Sequence, residues 1–141
     1  MPNHWLLKTE PSTYAFADLL REGRTRWEGV SSPAALIHLR AMKTGDEALI
    51  YHSGDERAVV GLARIASDPY PDPALGDPRR VVVDLVPLRT LPRPIPLAAI
   101  KADRRFADLA LVRISRLSVM PVSAAHWERL VALGGAAGAR P

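Results

Sequence analysis

The sequence predicts an α+β protein, a mixed β-sheet or barrel with helices around its periphery. Three observations lead there. The β-type runs do not alternate regularly with long crossover helices, which argues against a doubly wound parallel sheet. Two such runs flank the turn "GDER" as a hairpin. No internal repeat, and no linker between two cores, divides the 141 residues. One domain is expected over residues 1–134, with 135–141 as a flexible tail.

Taken in order, "HWLLKTE" (His4 to Glu10) reads as a strand ended by Pro11. In "TYAFADLLREG", Tyr14, Phe16, Leu19 and Leu20 give a short amphipathic helix that Gly23 stops. "RTRWEGV" reads as a brief strand opening into a loop. "SPAALIHLRAMKTGD" reads as a helix, with Ser32 as N-cap, Pro33 at the first helical position and Gly45 after the end. "DEALIYHS" and "AVVGLARIAS" form the hairpin. "DPYPDPALGDPRR" is a proline-rich surface connection. "RVVVDLVPLRTL" is a long strand in which Pro87 marks a bulge or an edge. "PRPIPLAAIKAD" starts extended and turns helical after Pro96. "RRFADLALVR" reads as one short helix and "RLSVMPV" as a terminal strand. "SAAHWERLVALGG" is a helix between the N-cap Ser123 and the stop Gly134.

Composition removes several classes of function. Apolar residues make up 48% and charged residues 24%, as in ordinary globular proteins. No run approaches the ~20 apolar residues of a membrane helix, so no membrane partner is expected. There is no cysteine, hence no thiolate chemistry, and with no visible signal peptide the expected location is cytoplasmic. The four histidines are scattered without ligand spacing, so neither a metal nor another cofactor is expected. The usual nucleotide-cofactor and hydrolase motifs are missing. The net charge of +4, with sixteen arginines, fits an anionic partner and equally an Ala/Arg/Pro-rich codon usage.

Three tryptophans stand in different contexts. Trp5 shares a strand face with Leu7, and Trp127 lies along a helix with Leu130, Val131 and Leu133; both read as core. Trp27 has no such company. It is either a packing residue under a loop or a stacking platform for a base. Around it, Gly29 permits close approach of a ligand, and Ser31 and Ser32 offer hydroxyls. Lys8 and Glu10 share one strand face, with Thr9 on the other; they form a surface ion pair or a pocket edge. His52 and Ser53 point to opposite faces, which disfavours a Ser–His nucleophile. Arg116 and Ser118 line either a solvated loop or a second pocket wall.

Read together, "KTEPSTY", "RWEGV", "YHS" and "SRLSVMPV" resemble the EVE domain family, in order from Trp5 to Leu133. The resemblance implies a PUA-like barrel, kinship with the base-flipping YTH domains, and a reader of a modified base, a cytosine above all, in DNA or RNA. Carried over by position, the base pocket comprises Trp27, Lys8, Glu10, Gly29, Val30, Ser31, Ser32, Tyr51, His52, Ser53, Leu117 and Ser118. Arg24, Arg26, Arg113 and Arg116 would hold phosphates. Many members carry an Asn-Tyr pair after the "W-[DE]-G-V" motif; here Ser31, Ser32 and Pro33 occupy that region. The chain is expected as a monomer, non-enzymatic, with a nuclease or modification enzyme as partner. Two readings compete: an amidohydrolase of the ASCH type using Lys8, Thr9 and Glu10 on a modified nucleoside, and a small-molecule or protein interaction module.

Overall fold

The computed structural model describes residues 2–136. Its strands are β1 (His4–Thr9), β2 (Thr25–Trp27), β3 (Glu47–His52), β4 (Ala58–Ile65), β5 (Tyr70–Pro71), β6 (Val81–Pro96) and β7 (Val119–Pro121). The helices are α1 (Phe16–Glu22), α2 (Pro33–Arg40), α3 (Leu97–Ala102), α4 (Ala110–Arg113) and α5 (Ala124–Leu133). One curled sheet runs β2-β6-β4-β3-β1-β7, with β5 paired to β6. This is the mixed, PUA-like architecture the sequence predicts. β1 and β3 are parallel because α1, β2 and α2 make the crossover between them. Every other pairing is antiparallel.

Local chemistry accounts for most boundaries. Gly23 takes φ +76° and closes α1, with its N–H on the Leu19 carbonyl. The Ser123 hydroxyl accepts from the His126 N–H and starts α5. The β3–β4 hairpin forms as expected, with a bulge after Ile50↔Gly61. β6 bulges at Leu88, between Leu62↔Arg89 and Ala63↔Pro87. There the missing Pro87 N–H is tolerated, so the bulge alternative is the one realised.

Several boundaries differ from the sequence reading. α2 ends at Arg40 rather than near Gly45, and Ser32 makes no side-chain cap; Gly45 instead sits in the turn into β3, donating to the Ile65 carbonyl at 2.8 Å. The segment 104–113 splits into a 3₁₀ turn, Arg104–Phe106, and the separate α4. The Asp103 carboxylate accepts from the Arg105 N–H, while Leu109 is extended. The proline-rich connection contains β5, and Tyr70 Oη donates to Asp84 Oδ1. Gly135 and Ala136, read as the start of the tail, stay packed: the Ala136 N–H donates to the Val131 carbonyl and its side chain is buried. The rest of the expected tail, 137–141, lies outside the described residues.

The core lies between the sheet and its helices. Phe16 and Leu19 of α1, Ala35, Leu36 and Leu39 of α2, and Trp127 and Leu130 of α5 face it. Leu20 and Leu133, read with those apolar faces, are exposed. Trp5 is buried and its Nε1 donates to Asp46 Oδ2 at 2.9 Å. The same carboxylate accepts from the Asn3 and Lys43 N–H groups, so it ties the start of β1 to the turn before β3. Among the described residues no helix is long and apolar enough to cross a membrane.

Candidate functional site

β2 is an edge strand, and its pairing with β6 sets Trp27 opposite Val83. Strand alternation then turns Thr25 and Trp27 to one face and Arg26 to the other. The Trp27 ring is therefore not displayed on the surface. It is 7% exposed and joins the main apolar cluster, as the packing alternative has it. Its remaining accessible surface opens on a cavity of about 360 Å³. Thr9, Thr13, Tyr14, Thr25, Arg26, Glu28 and Gly29 complete the lining.

Tyr14 meets Trp27 edge-on and Thr9 Oγ1 donates to the Tyr14 carbonyl at 2.7 Å. Tyr14 Oη donates to Glu22, and its pKa is pushed up to about 12, by burial first and this hydrogen bond second. Trp27 Nε1 has no hydrogen-bond partner among the described residues. No sealed side-chain nitrogen or oxygen there lacks one either, so this indole N–H reaches solvent. Glu28 is exposed and its carboxylate pairs with Arg26 at 3.3 Å. Gly29 takes φ +86°, and a Cβ there would meet nothing, so its conformation rather than crowding favours glycine.

The residues predicted to line one pocket fall on several surfaces. Only Trp27 and Gly29 of the expected base pocket, with Arg26 of the expected phosphate set, line this cavity. Lys8 faces away from Thr9, into a separate cavity with Tyr51 and Ser53. Glu10 accepts from the Ser12 N–H and hydroxyl and organises the turn after β1. His52 is buried in a structural role. Its Nε2 accepts from the Phe16 N–H at the start of α1, which places the ring proton on Nδ1, facing Glu56 at 2.9 Å. Val30 is buried, its carbonyl accepting from Arg80 Nε. Ser31 lines a third cavity beside α2, and Ser32 is exposed. Leu117 is buried, and the Ser118 carbonyl accepts from the Lys8 N–H.

Among the arginines, Arg24 is held by Asp84 at 2.8 Å. Arg113 and Arg116 are exposed and make no ion pair among the described residues. Sequence reasoning missed Thr13, Tyr14, Thr25 and Glu28. The two-residue spacing of Thr25 and Trp27 was the available signal for Thr25; Tyr14 was read only as a helix face. Among the described residues no group of three His, Asp or Glu side chains forms a metal site.

The EVE domain profile matches residues 3–133. The chain is 40% identical to a Rhodopseudomonas palustris protein solved by NMR, with TM-score 0.90 over 94% of this chain and 93% of that one. It is 30% identical to thymocyte nuclear protein 1 of Gallus gallus, over 92% of this chain and 68% of that protein. The crystal structure of human THYN1 protein in complex with 5-methylcytosine-containing DNA matches with TM-score 0.86 at 29% identity, over 94% of this chain and 97% of that one.

Proposed function

The chain belongs to the EVE domain family, and we propose that it reads a modified base, 5-methylcytosine in DNA, by taking the flipped base into the cavity walled by Trp27 and Tyr14. The observation that carries this reading is that cavity, walled by two aromatic rings nearly at right angles and lined by three threonines. The likeness to human THYN1, whose complex holds 5-methylcytosine-containing DNA, supports it.

The chemistry follows from the lining. A base inside a duplex cannot reach a walled cavity, so it must leave the stack. Cytosine offers acceptors that suit Trp27 Nε1 and the hydroxyls of Thr13 and Thr25. Its exocyclic N4–H₂ is a donor that suits the Glu28 carboxylate. A 5-methyl group gains from aromatic contact and costs nothing in hydrogen bonds. Arg26, on the cavity wall, and Arg24, two residues before it, supply charge for the flanking phosphates.

The amidohydrolase reading is weaker, because Thr9 opens on the Trp27 cavity while Lys8 opens on another. A direct test is a calorimetric titration with two DNA oligonucleotides that differ only in cytosine methylation, with the matching RNA as a third arm. Tighter binding of methylated DNA supports the reading. Equal affinity for methylated and unmethylated DNA removes it.

A further inference from the structure

β1 separates two cavities. Thr9 faces the Trp27 cavity, and Lys8 faces one of about 340 Å³ between β3, the β3–β4 turn, α3 and α4. The second cavity is lined by cations. Lys8, Arg57 and Lys101 all reach it, and none of them is in an ion pair among the described residues.

Its charged groups are all cations. Lys8 Nζ donates one N–H to the Ser115 carbonyl at 2.8 Å and lies 5.7 Å from the Tyr51 ring centre, which leaves two N–H groups. Tyr51 is buried, but its hydroxyl has no partner among the described residues and is not sealed from solvent. No carboxylate lines the cavity. Glu10 stands behind Gly54, where an added Cβ would meet it, and is engaged by Ser12. Burial lowers the Lys8 pKa and raises that of Tyr51, as expected of groups facing inward without a compensating anion.

Arg57 carries a second, independent sign. It is the non-glycine residue with positive φ, +45°, among the described residues. Its Nε donates to the Gly54 carbonyl at 3.3 Å and its own carbonyl accepts from the Leu97 N–H. Its terminal guanidinium nitrogens make no hydrogen bond among the described residues. The β3–β4 turn thus holds Arg57 in the left-handed region, uncommon for a residue with a side chain, and brings its cation to the cavity.

We infer that this cavity is a second ligand site, taking a phosphomonoester with a compact organic body, of the class of a nucleoside 5′-monophosphate. Three cations with no carboxylate among the lining residues call for an oxygen-rich anion, and Arg and Lys together match a phosphate. Leu97, Leu111 and the Tyr51 ring supply apolar wall for the body. This inference is independent of the base reader, because the Trp27 cavity lies across β1.

The test is calorimetric titration of the full chain with adenosine 5′-monophosphate, adenosine and inorganic phosphate; adenine is not the base proposed for the Trp27 cavity. The monophosphate is expected to saturate one site, with adenosine at least about tenfold weaker and inorganic phosphate competing. Arg57→Gly relaxes the backbone while removing the cation, and Lys101→Ala changes an exposed side chain. Each is expected to weaken monophosphate binding by about tenfold without lowering the melting temperature. Equal binding of adenosine and its monophosphate, absence of saturation, or indifference to both variants overturns the inference. Inorganic phosphate binding as tightly as the monophosphate overturns the assignment of an organic body.

Discussion

The Tyr14 and Trp27 rings meet edge to face, 6.1 Å between centroids and 83° between planes. Tyr14 comes from the turn before α1 and Trp27 from the end of β2, so the contact joins two segments that the sheet edge alone would leave apart. It also makes one corner of the cavity at which the proposed base would dock. Trp27 therefore packs in the core and also lines the cavity.

Those two roles separate by substitution. Trp27→Ala removes a buried ring and is expected to cost about 3–5 kcal/mol of stability. Trp27→Phe keeps much of the packing but loses the indole N–H. It is expected to fold, with a modest fall in denaturation midpoint, and to lose most of the preference for a methylated base. Chemical denaturation and a paired titration of both variants check this.

Asp46 serves three donors, Trp5 Nε1 and the Asn3 and Lys43 N–H groups, and is 3% exposed. Asp46→Ala leaves the buried Trp5 Nε1 without its acceptor and frees two part-buried N–H groups, and is expected to destabilise by about 1–3 kcal/mol. Asp46→Asn retains one acceptor oxygen and is expected to cost less. Urea denaturation of both variants measures the difference.

Gly61 has no room for a side chain. A Cβ there would come 2.5 Å from the Phe16 ring. Gly61→Ala is expected to destabilise by about 1–3 kcal/mol through overpacking. Because the clash is with one ring, Phe16→Leu should recover part of the loss in the double variant, a coupling that a double-mutant cycle reads.

The Tyr14 pKa of about 12 makes a signed statement about pH. The folded state holds the phenol proton more tightly than the unfolded chain, whose tyrosine titrates near ~10. Its contribution to stability is complete below that pH and is lost as pH rises towards 12. All three tyrosines are raised above a free tyrosine, Tyr14 to about 12; phenolate absorbance should show a step there, and Tyr14→Phe should remove it.

Much of the fold was legible because its signals are local. Gly23 and Ser123 end and begin helices through their own conformation or side chain, and the β3–β4 turn carries its own residues. The differences arise where partners are distant in sequence. Trp27 looks like a loop aromatic, but pairing with β6 beside Val83 carries it into the core. His52 looks like a site residue at a strand end, but its partner is the Phe16 N–H, brought close by the β1–β3 crossover. Ser32 has the residue type of a cap, yet its hydroxyl is not used as one. The expected pocket split for a reason visible in strand alternation: Lys8 and Thr9 are adjacent, so β1 sends them to different cavities.

The most direct measurement is the ¹H–¹⁵N spectrum of the three tryptophan indole groups during titration with a methylated-cytosine DNA oligonucleotide, with Trp27→Phe used to assign the Trp27 signal. Trp5 Nε1 is locked to Asp46, and Trp127 stacks on His4 at 4.3 Å, away from the cavity. The account predicts that the Trp27 indole signal shifts with the binding curve while those of Trp5 and Trp127 stay in place. Saturable binding that leaves the Trp27 signal unmoved would contradict it.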